Sequence, residues 1–282
     1  MDPQGGSPAE AALAWQRAAK ARERADRNFT IARRYEQLAL DTADPLHIRL
    51  AHLHRTTGNR HQVAAELLQS HARRAGRWIR DGGPPPLFMT GVAEVCGTAS
   101  VAVTLIDAEQ NQLATASSDQ PSRGAQDLEY VLGEGPARDA VLARGPVDVS
   151  GDGLASRWPG YGPAVMELGI EKVVAVPLEV PGECIGALAV FDPQPESASA
   201  TLFTQVADAL TRSVFLGCDA IPGFFGGIDY RAEVHQAAGM VAGRLNCRVA
   251  DALELVKARA FSDGRPIADV ARDIVHGQLK LG

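Results

Sequence analysis

The chain is poor in the features that would place it in a membrane, at a metal or in an oxidising compartment. No apolar run approaches the ~20 residues that span a bilayer. The opening MDPQGGSPAE has no basic stretch leading into an apolar one, so no secretion signal is expected. Cysteine is scarce: Cys96, Cys184, Cys218 and Cys247 stand far apart, with no C-x-x-C pair. That argues against a zinc site and predicts four buried thiols in a reducing cytoplasm. Carboxylates are plentiful, but no clustered His, Cys or Ser accompanies them for acid–base or nucleophilic work. No catalytic residue is expected, and no enzyme.

What is present is asymmetry. The 282 residues carry a net charge of −6, unevenly spread. Residues 1–83 hold 14 Lys+Arg against 9 Asp+Glu, residues 84–218 hold 6 against 17, and residues 219–282 hold 8 against 8. Such a shift predicts separate modules: a helical region at 1–83, an α+β domain at 84–218, a linker at 219–228 and a three-helix domain at 229–282. The fold class expected is multidomain, α and α+β.

In the first module, Trp15, Ala18, Ala25, Phe29, Ala32 and Ala39 recur at helical spacing from Pro8 to about Leu40. Asp44-Pro45 restarts the chain. Thr57-Gly58-Asn59 is expected to part a short helix (Leu46 to Thr56) from a longer one (His61 to Ile79). The simple reading is a dimerisation or packing hairpin, and Arg22, Arg24, Arg27, Arg33 and Arg34 offer an RNA-facing stripe as the alternative. Five histidines between His47 and His71 have no metal spacing and read as solvated positions.

The breaker Gly82-Gly83-Pro84-Pro85-Pro86 opens the second module. A helix (Leu87 to Cys96), strands at Ser100 to Asp107 and Gln112 to Ser118, and helices near Gln126–Leu132 and Gly135–Ala143 follow. Two strands, Lys172 to Val180 and Cys184 to Asp192, are joined by Pro181-Gly182-Glu183, a hairpin turn. A helix from Ala198 to Leu216 ends the module at Gly217. Antiparallel pairs bracketed by helices indicate an α+β sensor-type domain.

Four stretches, LGEGPARDAV (Leu132 to Val141), PVDV (Pro146 to Val149), RWPGYGPAVMELGI (Arg157 to Ile170) and VVAVPLEVPGECIGALAVFD (Val173 to Asp192), resemble a GAF domain of the type common in actinobacterial signalling proteins. The resemblance spans about residues 87–217 and implies a ligand-sensing or dimerising module without catalysis. No histidine lies between Ala72 and Val234, which excludes a histidine-ligated haem there, and a Cys-His pair for a bilin is missing. Ala137 stands where related domains often have cysteine. The resemblance leaves an unidentified small molecule, or none, as ligand. Trp158, Tyr161 and Met166 either line its pocket or simply cover the sheet.

The C-terminal blocks YRAEVHQAAGMV (Tyr230 to Val241), ADALELVKARAF (Ala250 to Phe261) and GRPIADVARDIV (Gly264 to Val275) resemble an ANTAR domain. The resemblance implies a three-helix RNA-binding module that promotes transcription antitermination by holding paired hairpins in nascent RNA. Helices are expected from about Asp229 to Leu245, Val249 to Ser262 and Pro266 to His276. Cations for phosphates and loop bases are Arg231, His235, Arg244, Arg248, Lys257, Arg259, Arg265 and Arg272, with Arg231 and Lys257 matching the family's basic pattern. Many relatives have lysine where Ala238 stands. A DNA-binding helix-turn-helix ranks last, because the third helix offers mainly Asp269, Arg272 and Asp273.

The first of these helices carries two glycines, each costing roughly 1 kcal/mol against alanine. On a helical wheel Val234, Ala237, Val241 and Leu245 form a core stripe, with Arg231, His235, Ala238 and Ala242 beside it. Ala232, Gly239 and Gly243 form a third, bare stripe. It admits either another helix, within the bundle or from a second copy, or an RNA backbone. The whole is expected to be a cytoplasmic homodimer that partners RNA, touches the transcription machinery indirectly and avoids membranes. The alternative is a ligand-binding scaffold whose last module makes protein contacts only.

Overall fold

The computed structural model describes residues 8–82, 86–195, 199–215 and 231–281. The expected linker, with Cys218, Asp229 and Tyr230, lies outside them. Two long helices come first, α1 (Pro8–Thr42) and α2 (Pro45–Asp81). Their seam is built of small residues: Ala14, Ala18, Ala21, Ala25 and Ala32 on α1 face Ala51, Gly58, Ala65 and Ala72 on α2, all buried. Seven-residue spacing along both helices keeps these small faces together. The turn between them is short. Ala43 adopts a left-handed conformation, the Asp44 carboxylate accepts the Leu46 N–H at 2.8 Å, and Pro45 fills the first helical position.

The expected break at Thr57-Gly58-Asn59 does not occur, and α2 runs straight through it. A Cβ on Gly58 would lie 2.7 Å from Phe29 Cε1. The glycine makes room for a ring of the facing helix, which local sequence cannot reveal. His71 is also not solvated; it is buried and tilts against Phe88 with ring centroids 5.6 Å apart.

The middle of the chain forms a five-stranded antiparallel sheet in the order β2-β1-β5-β4-β3. Its strands are β1 (Ser100–Ile106), β2 (Gln112–Ser117), β3 (Val147–Ser150), β4 (Lys172–Val180) and β5 (Glu183–Phe191). Alternate residues serve two cores. Val101, Val103, Val174, Val176, Leu188 and Val190 join Leu67 and Leu68 of α2, the helix α3 (Phe88–Val95), and Phe203 and Leu210. The last two belong to α8 (Ala200–Ala209) and the π-helical turn that extends it, Leu210–Phe215. Ala102, Val173, Ala175, Ala187, Ala189 and Phe191 pack on the opposite side. There they meet α4 (Gln120–Leu132), α5 (Pro136–Ala143), α6 (Asp152–Arg157) and α7 (Tyr161–Glu167). The C-terminal part of α2 is thus built into the core of the sheet domain.

The expected strands match within a residue or so; β3, α6 and α7 are additions. At four to seven residues each, and punctuated by Gly and Pro, they leave no usable periodicity.

Three helices complete the chain: α9 (Ala232–Leu245), α10 (Val249–Asp263) and α11 (Ile267–Val275). Val234, Ala237, Val241, Val256, Ile267, Val270 and Ile274 form their core. Asn246 and Gly264, both left-handed, end the first two helices, so the expected turn at Asp263-Gly264-Arg265 is present. A bundle this small is marginal alone. Here Tyr130 and Val131 of α4 pack against its core. Among the described residues, no helix is long and apolar enough to cross a membrane.

Candidate functional site

Helix α4 supplies the groups that meet the bundle. A capping box starts it: Asp119 accepts the Ser122 N–H at 2.9 Å, and the Ser122 hydroxyl accepts the Asp119 N–H at 3.3 Å. Helical spacing then divides its side chains. Ser122, Ala125, Gln126 and Glu129 are buried in the sheet domain, while Asp127 and Tyr130 meet the bundle.

Arg231, which begins α9 in a left-handed conformation, is 1% exposed. Its Nη1 donates to Asp127 Oδ1, Nη2 donates to Gln112 Oε1 at 3.4 Å, and its guanidinium lies 4.8 Å from the centroid of Tyr130. The Lys257 ammonium of α10 lies 4.6 Å from the same centroid and pairs with Glu254 at 3.0 Å. One ring of the sheet domain therefore carries two cations of the bundle. Attraction of cations to an aromatic face reaches ~2 kcal/mol when water is excluded.

Beside this contact runs a cleft of about 450 Å³. Ile106, Leu113, Ala137 and Val141 line the sheet-domain wall; Val249, Ala250 and Leu253 line the bundle wall. Glu129 reaches into it yet is only 7% exposed. Its Oε1 accepts the Arg138 N–H at 2.6 Å, at the start of α5, and its Oε2 has no hydrogen-bond partner. Burial pushes the carboxyl up to about 7, against the pull of the Arg138 N–H. Gly135, at φ +154°, makes the space: a Cβ there would lie 2.7 Å from Glu129 Cδ.

The GEGP motif is explained residue by residue. Glu134 Oε1 accepts the Gly160 and Tyr161 N–H groups at 2.7 and 2.9 Å, capping α7. Pro136 opens α5, and Asp139 accepts from Trp158 Nε1 at 3.2 Å and Arg157 Nε at 2.8 Å. With the antiparallel sheet, the two cores and these caps in place, the family comparison is decisive: the GAF domain model matches residues 87–214. Residues 87–214 are a GAF domain. The match ends before the bundle, and no curated protein matches the chain. A GAF domain points to a signal-sensing, regulatory role.

Of the two readings for Trp158, Tyr161 and Met166, a pocket or a cover for the sheet, the first two residues follow the second. Trp158 and Tyr161 are buried edge to face at 5.8 Å, covering the sheet, while Met166 is exposed in a separate depression beside Lys172. A cleft that the GAF domain does share lies at its junction with the bundle. The sequence alone does not single out Glu129, Asp127 and Tyr130. The available signal was a carboxylate in helical register with Ala125 and Gln126, positions that face a core.

The candidate RNA cations do not share one open surface. Arg231 is buried, and Arg248, Lys257, Arg259 and Arg265 pair with Asp251, Glu254, Asp263 and Asp273. Arg272 pairs with Asp269 and Glu233. His235 is exposed and lines the cleft, and Arg244 is exposed at the end of α9. Ala238 is fully buried, so the position next to the glycines faces protein. The bare stripe is exposed: nothing lies within 4 Å of a Cβ on Gly239 or Gly243, and Ala232 is exposed too. Close packing of a helix within the bundle is therefore not what these glycines serve.

Proposed function

We propose that the chain is a signal-responsive, RNA-binding regulator in which the GAF domain governs access to the C-terminal bundle. One observation carries the reading. Arg231 and Lys257, the two cations best matched to the ANTAR pattern, are both engaged on Tyr130 of the GAF domain. In the docked arrangement their charge is spent on α4; release from α4 returns it to solvent, where RNA phosphates and splayed bases compete for it. The output is antitermination through paired hairpins in nascent RNA. The protein works in the cytoplasm as a homodimer and acts by binding, not catalysis.

A scaffold that makes protein contacts alone is the second reading. It is favoured by the ion pairs that neutralise most of the remaining cations. Gel-shift titration with paired-hairpin RNA separates the two. Asp127→Ala combined with Tyr130→Ala should bind at least tenfold more tightly than the parent chain, with affinity falling steeply as salt rises. Absence of salt-sensitive binding by both proteins at micromolar concentration would leave the scaffold.

A further inference from the structure

Helix α2 carries a second stripe besides its small-residue seam with α1. Leu46, Leu50, Leu53 and Thr57 lead into Arg60, Ala64, Leu67 and His71 at alternating spacings of four and three, so they share one face. The lower half of that face is covered. Ala64 and Leu67 are buried in the sheet core, and His71 lies against Phe88. Arg60, which meets Asp208 of α8 at 3.8 Å, marks the edge of the GAF domain. Above that edge the face has no cover: Leu46 and Leu53 are 47% and 57% exposed, and Leu50 is half-buried.

Helix α1 widens the strip. Ile31 and Leu38, one heptad apart and both half-buried, flank it across the seam, whose other side is marked by the Arg55–Glu36 and Arg22–Gln69 contacts. From Pro45 to Arg60 the uncovered length is roughly 20 Å at 1.5 Å per residue. An apolar strip of this kind, rimmed by charge and continuous with a buried face, marks an interaction site. The rim says with what. Arg34 and Asp41 stand three residues beyond Ile31 and Leu38, both exposed, and among the described residues neither has an ion-pair partner. The rim therefore carries one charge of each sign, a heptad apart, which is complementary to itself when reversed.

We propose that this strip docks a second copy of the chain, its hairpin antiparallel to the first, closing a four-helix bundle about a two-fold axis at Leu38 and Leu50. Leu46 and Leu53 of each copy are then covered by the other, and Arg34 of each meets Asp41 of the other. The fold dictates the direction. The GAF domain projects from the same side of the hairpin as the strip, so parallel hairpins would bring two GAF domains into collision before the strips met. Antiparallel hairpins avoid this, because each tip ends at the edge of the other copy's GAF domain. The inference rests on the homodimer of the reading above and adds its surface and its direction.

The test uses the full chain and no RNA, so its failure and that of RNA binding are distinguishable. Sedimentation equilibrium at micromolar concentration should give twice the mass of one chain. Leu46→Glu combined with Leu53→Glu should weaken association roughly a hundredfold or more, because the dimer would bury the new carboxylates. Both positions are exposed in the single copy, so circular dichroism should be unchanged. Leu40→Glu combined with Ile48→Glu, exposed on the other side of the seam, should leave the dimer intact. Arg34→Glu should weaken it about tenfold, since two copies of the ion pair are lost, and adding Asp41→Arg should restore it. Three results would overturn the proposal. A dimer unchanged by the Leu46 and Leu53 substitutions would keep the homodimer and place it on another surface. Failure of the charge swap to restore association would remove the antiparallel direction. A monomeric parent chain would remove both this surface and the homodimer, while RNA binding is decided by the gel shift alone.

Discussion

Where α2 meets the sheet, Leu67 and Leu68 join Phe88, Val92, Phe203 and Leu210 in one buried cluster. Where the bundle meets α4, the contact is a ring, two cations, a carboxylate and a cleft, with Val131 as its aliphatic member. The first junction is non-directional and excludes water over a wide area, so it has no alternative arrangement of similar energy. The second exchanges each of its polar contacts for a comparable one with water, which leaves a small net difference between docked and released states. Under the proposed function the first junction is the fixed end of the protein and the second its movable end.

The largest effect should come from attacking the fixed end. Leu67→Ala deletes a fully buried side chain and should cost about 2–5 kcal/mol. Hairpin and GAF domain should lose structure in one cooperative transition in urea. If the hairpin melts separately, the two ends are less different than the packing indicates.

Asp127→Ala attacks the movable end. Arg231, 1% exposed, would keep its charge and lose the Asp127 contact, a loss of up to about 3 kcal/mol. The loss should appear as faster hydrogen exchange in α9 and α10, with the α2–sheet core unchanged. Loss of protection in both places would merge the two junctions.

Glu129 sharpens the comparison through pH. Its folded carboxyl titrates at about 7, above the usual 4.5. The folded state therefore holds the proton more tightly, so this contribution is present below pH 4.5 and is lost as pH rises through 7. At about 1.4 kcal/mol per unit the loss is roughly 3–4 kcal/mol. Glu129→Gln should be close to neutral at pH 5 and stabilising at pH 8, as read from urea midpoints. A parallel pH profile for variant and parent would remove Glu129 as the cause.

The smallest effects set two helix glycines against each other. Gly58→Ala should destabilise by about 1–2 kcal/mol, because the new methyl meets the Phe29 ring. Gly239→Ala should stabilise by up to about 1 kcal/mol, because nothing lies within 4 Å. Calorimetric Tm shifts of opposite sign are the expected outcome.

These glycines also show what can be read from a sequence. Strands β4 and β5 are legible almost to the residue, since β-branched runs flank a Pro-Gly turn. Gly58 is not, because a glycine opposite a ring and a glycine in a turn look alike until the facing helix is known. The same limit applies to the site. Arg231 and Lys257 can be singled out as cations within the bundle. That both meet Tyr130 depends on α4, whose Asp127 is 104 residues from Arg231. Tertiary contacts of that span leave no local pattern.

Arg231 has one more consequence. It is both the clamp on α4 and the residue from which α9 starts, in a left-handed conformation that costs a non-glycine residue about 1 kcal/mol. The Asp127 and Tyr130 contacts hold that conformation, and the Arg231 carbonyl in turn accepts the His235 N–H at 2.9 Å. The proposed release would remove what fixes the first turn and would shorten α9 from its N-terminus. Under the proposed function, release at the GAF domain would thereby read out as a change in helix length, with His235 the side chain whose backbone hydrogen bond is lost.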